Sequence, residues 1–257
     1  MLKISGLDKS FTNNRKRFVV FKDFNLDIPK NQVFAIFGPN GCGKTTLLNI
    51  IAGFIKKENG VIEYDGEKLP QNQIGIVLQD YRASLMPWLT VKQNIALPLA
   101  IKRIEENKCY QEVINICKLF HFTANLDAFP YQLSGGQQQF VAILRALVTK
   151  PNILLMDEPF SSLDFETSLM MQEKISDILR QTKITTLFIS HDIDSSIMLA
   201  DNIALLSNKP TRIIKTFDNL LPHPREITQM SSKIFIDIKR KILERYYQEI
   251  KSTKIIG

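Results

Sequence analysis

The sequence is poor in the residues that hold a small secreted or metal-binding domain together. Its 257 residues include three cysteines, Cys42, Cys109 and Cys117, and no two of them have C-x-x-C spacing. An odd number of cysteines without metal-site spacing favours free thiols in a reducing cytoplasm. No run of eighteen or more apolar residues occurs, and the first six residues lack a long apolar stretch. We therefore expect neither a transmembrane helix nor a secretory signal.

The charge of the chain does not select a function. Lysine and arginine exceed aspartate and glutamate by 33 to 26, which gives a net charge of +7. Such an excess is compatible with nucleic acid, with an anionic membrane surface, with anionic ligands, or with a solvated basic surface that has no single partner. Apolar residues make up 44% and charged residues 23%, which is an ordinary globular composition.

The apolar pattern predicts an α/β protein with two additions. Short apolar stretches in the first thirty residues predict a small antiparallel sheet. Compact apolar runs separated by helical patterns predict a buried parallel sheet; they cover 32–37, 74–78, 153–156, 185–189 and 203–206. The pattern of 81–150 predicts helices throughout this segment, and apolar residues recur at helical spacing after 220. We predict a domain over 1–220, with a helical sub-domain inserted at about 81–150, and a C-terminal helical extension over 221–257.

A glycine-rich segment follows the first predicted buried strand. Gly38-Pro39-Asn40-Gly41-Cys42-Gly43-Lys44-Thr45 fits the pattern G-x-x-x-x-G-K-[ST], and a helical pattern comes next. Such a loop turns backbone N–H groups toward phosphates at the positive end of a helix. Lys44 would reach the β and γ phosphates, and the Thr45 hydroxyl would ligate Mg²⁺. We include Thr46 among the nucleotide-binding residues.

An acidic pair ends the apolar run at 153–156. A buried strand would deliver Asp157 and Glu158 to the edge of the sheet where parallel folds bind their ligands. Asp157 would hold magnesium through its water shell, and Glu158 would polarise the attacking water. A strand that ends in a solvated acidic pair is the alternative, and the phosphate loop is the argument against it.

A second anion site is predicted at Leu133-Ser134-Gly135-Gly136-Gln137, which we call the serine–glycine turn. It combines a serine hydroxyl with glycine N–H groups at the start of a predicted helix. A chain that already holds ATP on one phosphate loop has little use for a second such site. The use is clear in a homodimer, where each turn closes over the nucleotide held by the other copy.

These motifs, taken in order, resemble the ABC transporter ATPase family over nearly the whole chain. The order is the phosphate loop, Gln79, the serine–glycine turn, Met156-Asp157-Glu158-Pro159, Ser161-Ser162-Leu163-Asp164 and Ser190-His191-Asp192. The resemblance implies a P-loop NTPase with a RecA-like core, an N-terminal antiparallel β sub-domain and an inserted helical sub-domain.

The same resemblance assigns roles to residues that would otherwise be unremarkable. Glu158, Gln79 and His191 form the implied catalytic set. Gln79 would sense magnesium and link the site to a membrane partner, and His191 would contact the γ phosphate. Asp164 would cross the dimer interface and belongs to the nucleotide-binding set. ATP and Mg²⁺ are the implied cofactors, with Thr45, Gln79 and Asp157 at the metal. The nucleotide-binding set also includes Ser134, Gly135, Gly136 and Gln137.

Two positions depart from the family pattern, and one family contact stays ambiguous. The family stacks adenine on an aromatic ring near the N-terminus; Phe11 is the better match and Phe18 the alternative, and either could be a core aromatic. Phe140 stands where the family often has arginine, and Ser195 stands where an acid is common.

A tryptophan-containing stretch indicates the branch of the family. Leu85-Met86-Pro87-Trp88-Leu89-Thr90-Val91 is similar to a segment of importer ATPases for nitrate, sulfonates and taurine, as are Phe160 and the segment at 222–226. This resemblance implies a peripheral ATPase on the cytoplasmic face of the membrane, with permease subunits as partners, a solute-binding protein as an indirect partner and no nucleic acid. Trp88 as part of the sub-domain core is the alternative at that position.

Two other functions compete with transport. A soluble ABC ATPase acting on nucleic acid or ribosomes would also explain the basic charge, but such proteins commonly carry paired cassettes, coiled coils or zinc-binding inserts. A P-loop kinase or nucleotide switch would need neither the serine–glycine turn nor a second copy.

Overall fold

The computed structural model describes residues 1–13 and 16–254 and contains two β-sheets. The N-terminal sheet is antiparallel, in the order β2-β1-β4-β5. Its strands are β1 (Leu2–Asn13), β2 (Lys16–Ile28), β4 (Asn59–Tyr64) and β5 (Glu67–Lys68). The sequence predicted the sheet from its first thirty residues but missed β4 and β5, because β4 is only partly buried and β5 has two residues.

The second sheet has six strands in the order β10-β9-β3-β8-β7-β6. They are β3 (Val33–Phe37), β6 (Ile74–Val77), β7 (Ile153–Asp157), β8 (Thr185–Ile189), β9 (Asn202–Leu206) and β10 (Ile213–Asp218). All pairings are parallel except that of β10 with β9. Every residue of β3, β7 and β8 is buried, as expected for parallel strands covered on both faces. The five parallel strands confirm the prediction; the half-exposed edge strand β10 was missed.

Helices cover the parallel sheet and form the predicted insertion. They are α1 (Lys44–Ile51), α2 (Tyr81–Ser84), α3 (Val91–Ile101), α4 (Glu106–Leu119), α5 (Gly135–Leu147), α6 (Phe165–Thr182), α7 (Ile193–Leu199) and α8 (Lys233–Lys254). The four helices α2 to α5 lie between β6 and β7 in the chain, which confirms the inserted helical sub-domain. Among the described residues, no helix is both long and apolar enough to cross a membrane.

The core lies on both faces of the parallel sheet, and β3 shows why. Successive side chains of a strand point to opposite faces. Phe34 and Ile36 pack with α1 and the antiparallel sheet, whereas Ala35 and Phe37 pack with the helical side. The phosphate loop follows Phe37 directly, so it starts at the end of a strand that is packed on both faces.

The C-terminal helix α8 packs against the core near the end of β3. Phe235 and Ile242 are buried, and the ring of Tyr246 meets that of Phe37 edge-on, with 5.4 Å between centroids. An ion pair between Lys239 and Asp194, with 2.6 Å between Nζ and Oδ1, joins α8 to α7. The predicted terminal amphipathic helix is thus present, and its apolar face supports the base of the phosphate loop.

Replacing Ile242 with alanine should destabilise the protein by about 2–5 kcal/mol, because it opens a cavity in a fully buried site. Urea unfolding measures the loss. The matched change Ile236→Ala, at a side chain of the same helix that is 53% exposed, should stay within about 0.5 kcal/mol. Equal effects of the two changes would contradict the packing of α8 on the core.

Candidate functional site

The phosphate loop spans the turn between β3 and α1, and its shape depends on glycine. Gly43 has a φ of +116°, and a Cβ there would lie 2.6 Å from Cγ1 of Val20, so a larger residue would be both strained and obstructed. The first N–H groups of α1 have no partner within the helix and form the positive end of its dipole. The loop therefore presents backbone donors to an anion.

The Lys44 side chain folds back over this loop. Its ammonium donates to the carbonyl oxygens of Gly38 at 2.9 Å and Pro39 at 3.0 Å, and the residue is buried. These carbonyls hold the ammonium at the mouth of the loop. A phosphate group cradled by the loop would meet this charge directly.

Thr45 and Asp157 form the oxygen-rich side of the site. The Thr45 hydroxyl lies 3.4 Å from Oδ1 of Asp157, at the C-terminal end of β7. Burial raises the pKa of the Asp157 carboxyl, with the Thr45 hydrogen bond opposing that shift. Hydroxyl and carboxylate oxygens are the ligands that Mg²⁺ prefers, and a buried carboxylate needs a nearby cation. The two side chains thus fit a magnesium ion.

The Glu158 carboxylate contacts side chains from two other segments of the chain. Its Oε2 accepts a hydrogen bond from Nε2 of Gln79 at 3.0 Å and lies 3.0 Å from Nδ1 of His191. The structure thus brings together the three residues that the sequence proposed as catalytic. Their places follow from the parallel sheet, because Gln79, Glu158 and His191 lie just beyond β6, β7 and β8.

The backbone at Glu158 is held in an uncommon conformation. Its φ is +45°, in the left-handed region that non-glycine residues rarely adopt. Its N–H donates to the carbonyl of Ile189 at 3.0 Å, and its carbonyl accepts from the Ser161 hydroxyl at 3.1 Å. Such strain persists where surrounding bonds enforce it, and it is concentrated at functional sites.

The serine–glycine turn caps α5 and faces solvent. Oγ of Ser134 accepts from the Gln137 N–H at 3.3 Å, and the Gln137 side chain accepts from the Ser134 N–H at 2.9 Å. Both residues are exposed. Gly136 is buried, and a Cβ there would lie 2.6 Å from Cγ2 of Thr167. Within the described part of the chain, no hydrogen bond joins this turn to the phosphate loop.

Asp164 begins α6 in a similar way. Its carboxylate accepts from the Thr167 N–H at 3.0 Å, and hydrogen bonding to that group lowers the pKa of Asp164. The residue is exposed. Like the serine–glycine turn, it caps a helix, and within the described residues its carboxylate makes no hydrogen bond to the phosphate loop.

Phe11 and Phe18 are neighbours across the β1–β2 ribbon. They are directly opposite in the antiparallel register, so their side chains share one face. Phe11 is 41% and Phe18 50% exposed, so neither is a core aromatic. The Lys9 ammonium lies 4.8 Å from the Phe11 ring centroid. The choice between the two rings stays open.

Trp88 lies at the surface, with 70% of its area exposed, which excludes the alternative that it belongs to the sub-domain core. The buried side chain of Asn94 shapes the turn that presents it. Its Nδ2 donates to the carbonyls of Met86 at 3.0 Å and Leu89 at 2.9 Å, and its Oδ1 accepts from the Met86 N–H at 2.8 Å. Sequence analysis missed Asn94, because it directly follows Lys92 and Gln93 and reads as part of one polar segment, although it is buried beside Val91 and Ile95.

Thr211 is a second residue that shapes the site and that sequence analysis missed. It lies between β9 and β10, is buried, and its hydroxyl donates a short hydrogen bond to the carbonyl of Cys42. Its N–H donates to the carbonyl of Val20 at 2.8 Å. Thr211 thus fixes the middle of the phosphate loop from outside any recognisable motif.

The two departures from the family pattern have local explanations. The Phe140 ring is buried, and the Lys174 ammonium lies 4.0 Å from its centroid, so α6 supplies a positive charge there. Burial lowers the pKa of Lys174. Ser195 is buried, and its hydroxyl donates to the Asp192 carboxylate that caps α7.

Comparisons with known proteins show the family to which the chain belongs. The family model described as ABC transporter matches residues 21–161. The chain is 39% identical over 247 residues to the aliphatic sulfonates import ATP-binding protein SsuB of Bacillus cereus, covering 95% of each. It is 38% identical over 256 residues to an uncharacterised ABC transporter ATP-binding protein of Methanocaldococcus jannaschii, covering 98% of this chain and 94% of that protein.

Solved structures are similar as well. The bacterial ABC transporter cassette MJ0796, solved as a dimer, has a TM-score of 0.73 at 28% identity and covers 85% of this chain and 98% of its own. The same cassette has been solved with ADP and Pi in a post-hydrolysis state. The protein cbiO1 of Clostridium perfringens has a TM-score of 0.76 at 25% identity, with 96% of each chain covered. The chain therefore belongs to the ABC transporter family as an ATP-hydrolysing, ATP-binding subunit of the branch that includes the aliphatic sulfonate importers.

Proposed function

We propose that this ABC importer ATPase drives uptake of a small organic anion of the sulfonate, taurine or nitrate type. It would act as a homodimer on the cytoplasmic face of the membrane, bound to separate permease subunits, with a solute-binding protein as an indirect partner. The observation that carries the proposal is the contact of Gln79 and His191 with the Glu158 carboxylate, beside a phosphate loop. The SsuB relatives are named as aliphatic sulfonates import ATP-binding proteins, which supports the solute class.

ATP would bind with its triphosphate on the phosphate loop. The backbone donors from Gly38 to Thr46 and the Lys44 ammonium would hold the phosphates, and the Phe11–Phe18 face would receive the adenine ring. Thr45, Gln79 and Asp157 would hold Mg²⁺. When bound, magnesium neutralises charge on the phosphate oxygens.

Hydrolysis would use the three side chains that meet at Glu158. A carboxylate next to the phosphate loop can accept a proton from a water aligned with the γ phosphate. Gln79 and His191 each hold the same carboxylate oxygen at 3.0 Å. They would orient Glu158, and His191 would contact the γ phosphate once nucleotide is present.

A second copy would complete the site. Ser134, Gly135, Gly136 and Gln137 form an anion site that is exposed at the start of α5, and Asp164 is exposed at the start of α6. Facing another copy, these residues would close over the nucleotide that the partner holds. The dimeric state of the similar bacterial cassette supports this arrangement.

The surface around Trp88 would receive the permease. Trp88 is 70% exposed, and tryptophan is enriched at protein–protein interfaces. The Trp88 turn follows Gln79 in the chain, so a permease segment bound there would be coupled to the Glu158 cluster. The division into a domain over 1–220 and an extension over 221–257 stays a prediction.

The alternative, a soluble ABC ATPase acting on nucleic acid or ribosomes, is not favoured. The SsuB relatives from Bacillus, matched over 95% of this chain, are named as import proteins. Salt-dependent binding of the purified chain to nucleic acid would be the evidence in its favour.

Glu158→Gln should lower ATP turnover at least about a hundredfold, because it removes the base, and should leave ATP binding intact. Turnover is measured by phosphate release. The control Glu166→Gln changes an exposed glutamate in the first turn of α6 and should retain the parent rate. Parent-level turnover by Glu158→Gln would show that another group is the base.

Trp88→Ala should reduce co-purification of the permease subunits at least about tenfold, because exposed aromatic anchors dominate interfaces. The control is Phe54→Ala, at an aromatic of similar exposure, 63%, just beyond the end of α1. Undiminished permease recovery with Trp88→Ala would remove this surface from the proposal.

Thr211→Val should weaken ATP binding by about threefold to tenfold, because it leaves the Cys42 carbonyl without its donor. Titration with a fluorescent ATP analogue measures the change. Thr216→Val, at an exposed position of β10, is the matched control. Unchanged affinity in Thr211→Val would mean that this bond does not shape the phosphate loop.

A further inference from the structure

Two buried polar side chains near the serine–glycine turn lack hydrogen-bond partners in the described part of the chain. They are the hydroxyl of Tyr81 and both amide atoms of Gln139. Tyr81 is 1% exposed and Gln139 is fully buried. Folded proteins nearly always pair such groups, because an unpaired one has lost its bonds to water without replacement. The exception calls for a physical reason.

The Tyr81 hydroxyl lies at the first turn of α5, and Gln139 lies one turn further along the same helix. The Tyr81 hydroxyl oxygen lies 3.0 Å from the position that a Cβ on Gly135 would take. Gln139 lies one turn after Gly135 on the same face of the helix, and helical side chains lean toward the N-terminus. From this geometry we expect the Gln139 amide to be directed back toward the Tyr81 hydroxyl.

The short helix α2 is fastened to α5 at its other end. The Arg145 guanidinium donates to the carbonyl of Ser84 at 2.6 Å and to its hydroxyl at 2.9 Å. The Tyr81 end of α2 has no corresponding side-chain bond from its hydroxyl to α5. A small rotation of α5 about the Arg145–Ser84 contact would change the gap between Tyr81 and Gln139.

We propose that Tyr81 and Gln139 are a positioning pair, unpaired in the free chain and hydrogen-bonded to each other when the serine–glycine turn closes on nucleotide. The proposal rests on the ATP-bound dimer of the proposed function. Forming this bond gives a partner to the Tyr81 hydroxyl and to one of the two amide atoms of Gln139, so it favours closure. Tyr81 is two residues from Gln79, so the pair also connects the Glu158 cluster of a chain to the turn that it offers its partner.

The test uses Tyr81→Phe and Gln139→Met in the Glu158→Gln chain. Each change removes a polar group that has no partner in the free chain. The midpoint of thermal unfolding of each variant should therefore equal that of the Glu158→Gln parent or exceed it by up to about 2–4 °C. The dissociation constant of the ATP-bound dimer, measured by analytical ultracentrifugation, should rise about tenfold for each. The double variant should be no weaker than either single one, because both remove the same bond.

Matched controls come from a buried tyrosine and a buried glutamine that do have partners. The Tyr64 hydroxyl lies 3.2 Å from the Thr185 hydroxyl, and Nε2 of Gln172 donates to Oγ of Ser168 at 3.1 Å. Tyr64→Phe and Gln172→Met should lower the thermal midpoint and leave the dimer dissociation constant unchanged. A purely structural role for Tyr81 would make it behave like these controls.

A lower midpoint for Tyr81→Phe would overturn the proposal, since it would mean that the hydroxyl is already paired in the free chain, for example through a buried water. Unchanged dimer affinity in both variants would also overturn the proposal, but it would leave the proposed function uncontradicted. Failure of the parent Glu158→Gln chain to dimerise on ATP would instead contradict the proposed function, and the positioning pair with it.

Discussion

The ends of parallel strands in one sheet fix the chemistry of this protein. Because β6, β7 and β8 are parallel neighbours, the residues that follow them arrive at a single edge. Gln79, Glu158 and His191 meet there, and β3 delivers the phosphate loop beside them. All residues of β3, β7 and β8 are buried, so the strands that lead to this edge are packed on both faces.

The rest of the molecule either supports that edge or turns outward from it. Thr211 supports the phosphate loop through a hydrogen bond to the Cys42 carbonyl. The C-terminal helix supports it through contact with the ring of Phe37, the residue before the loop. The serine–glycine turn and Asp164 begin helices whose free ends face solvent. Under the proposed function, one chain offers its phosphate loop to one nucleotide and its serine–glycine turn to the nucleotide of a second copy. In our account this separation is what makes the dimer the working unit.

Sequence patterns predicted the structural features that depend on residues close to one another in the chain. Buried parallel strands give continuous apolar runs, and phosphate loops require glycine at fixed offsets, so β3, β7, β8 and the site motifs were visible. The partly exposed strands β4 and β10 were missed, because their apolar pattern is weak. Asn94, Thr211 and the pair Tyr81 and Gln139 were missed because their roles arise from tertiary contacts. Thr211 and Cys42, for instance, are 169 residues apart.

The central claim is that each nucleotide is held by two copies of the chain. A structure of the Glu158→Gln protein bound to ATP measures this directly, as the distance from the γ phosphate to the nearest Ser134 hydroxyl. We predict a hydrogen-bond distance of about 3 Å, to the serine of the opposite copy. A bound ATP whose γ phosphate faces solvent, with no Ser134 from another copy near it, would contradict the account.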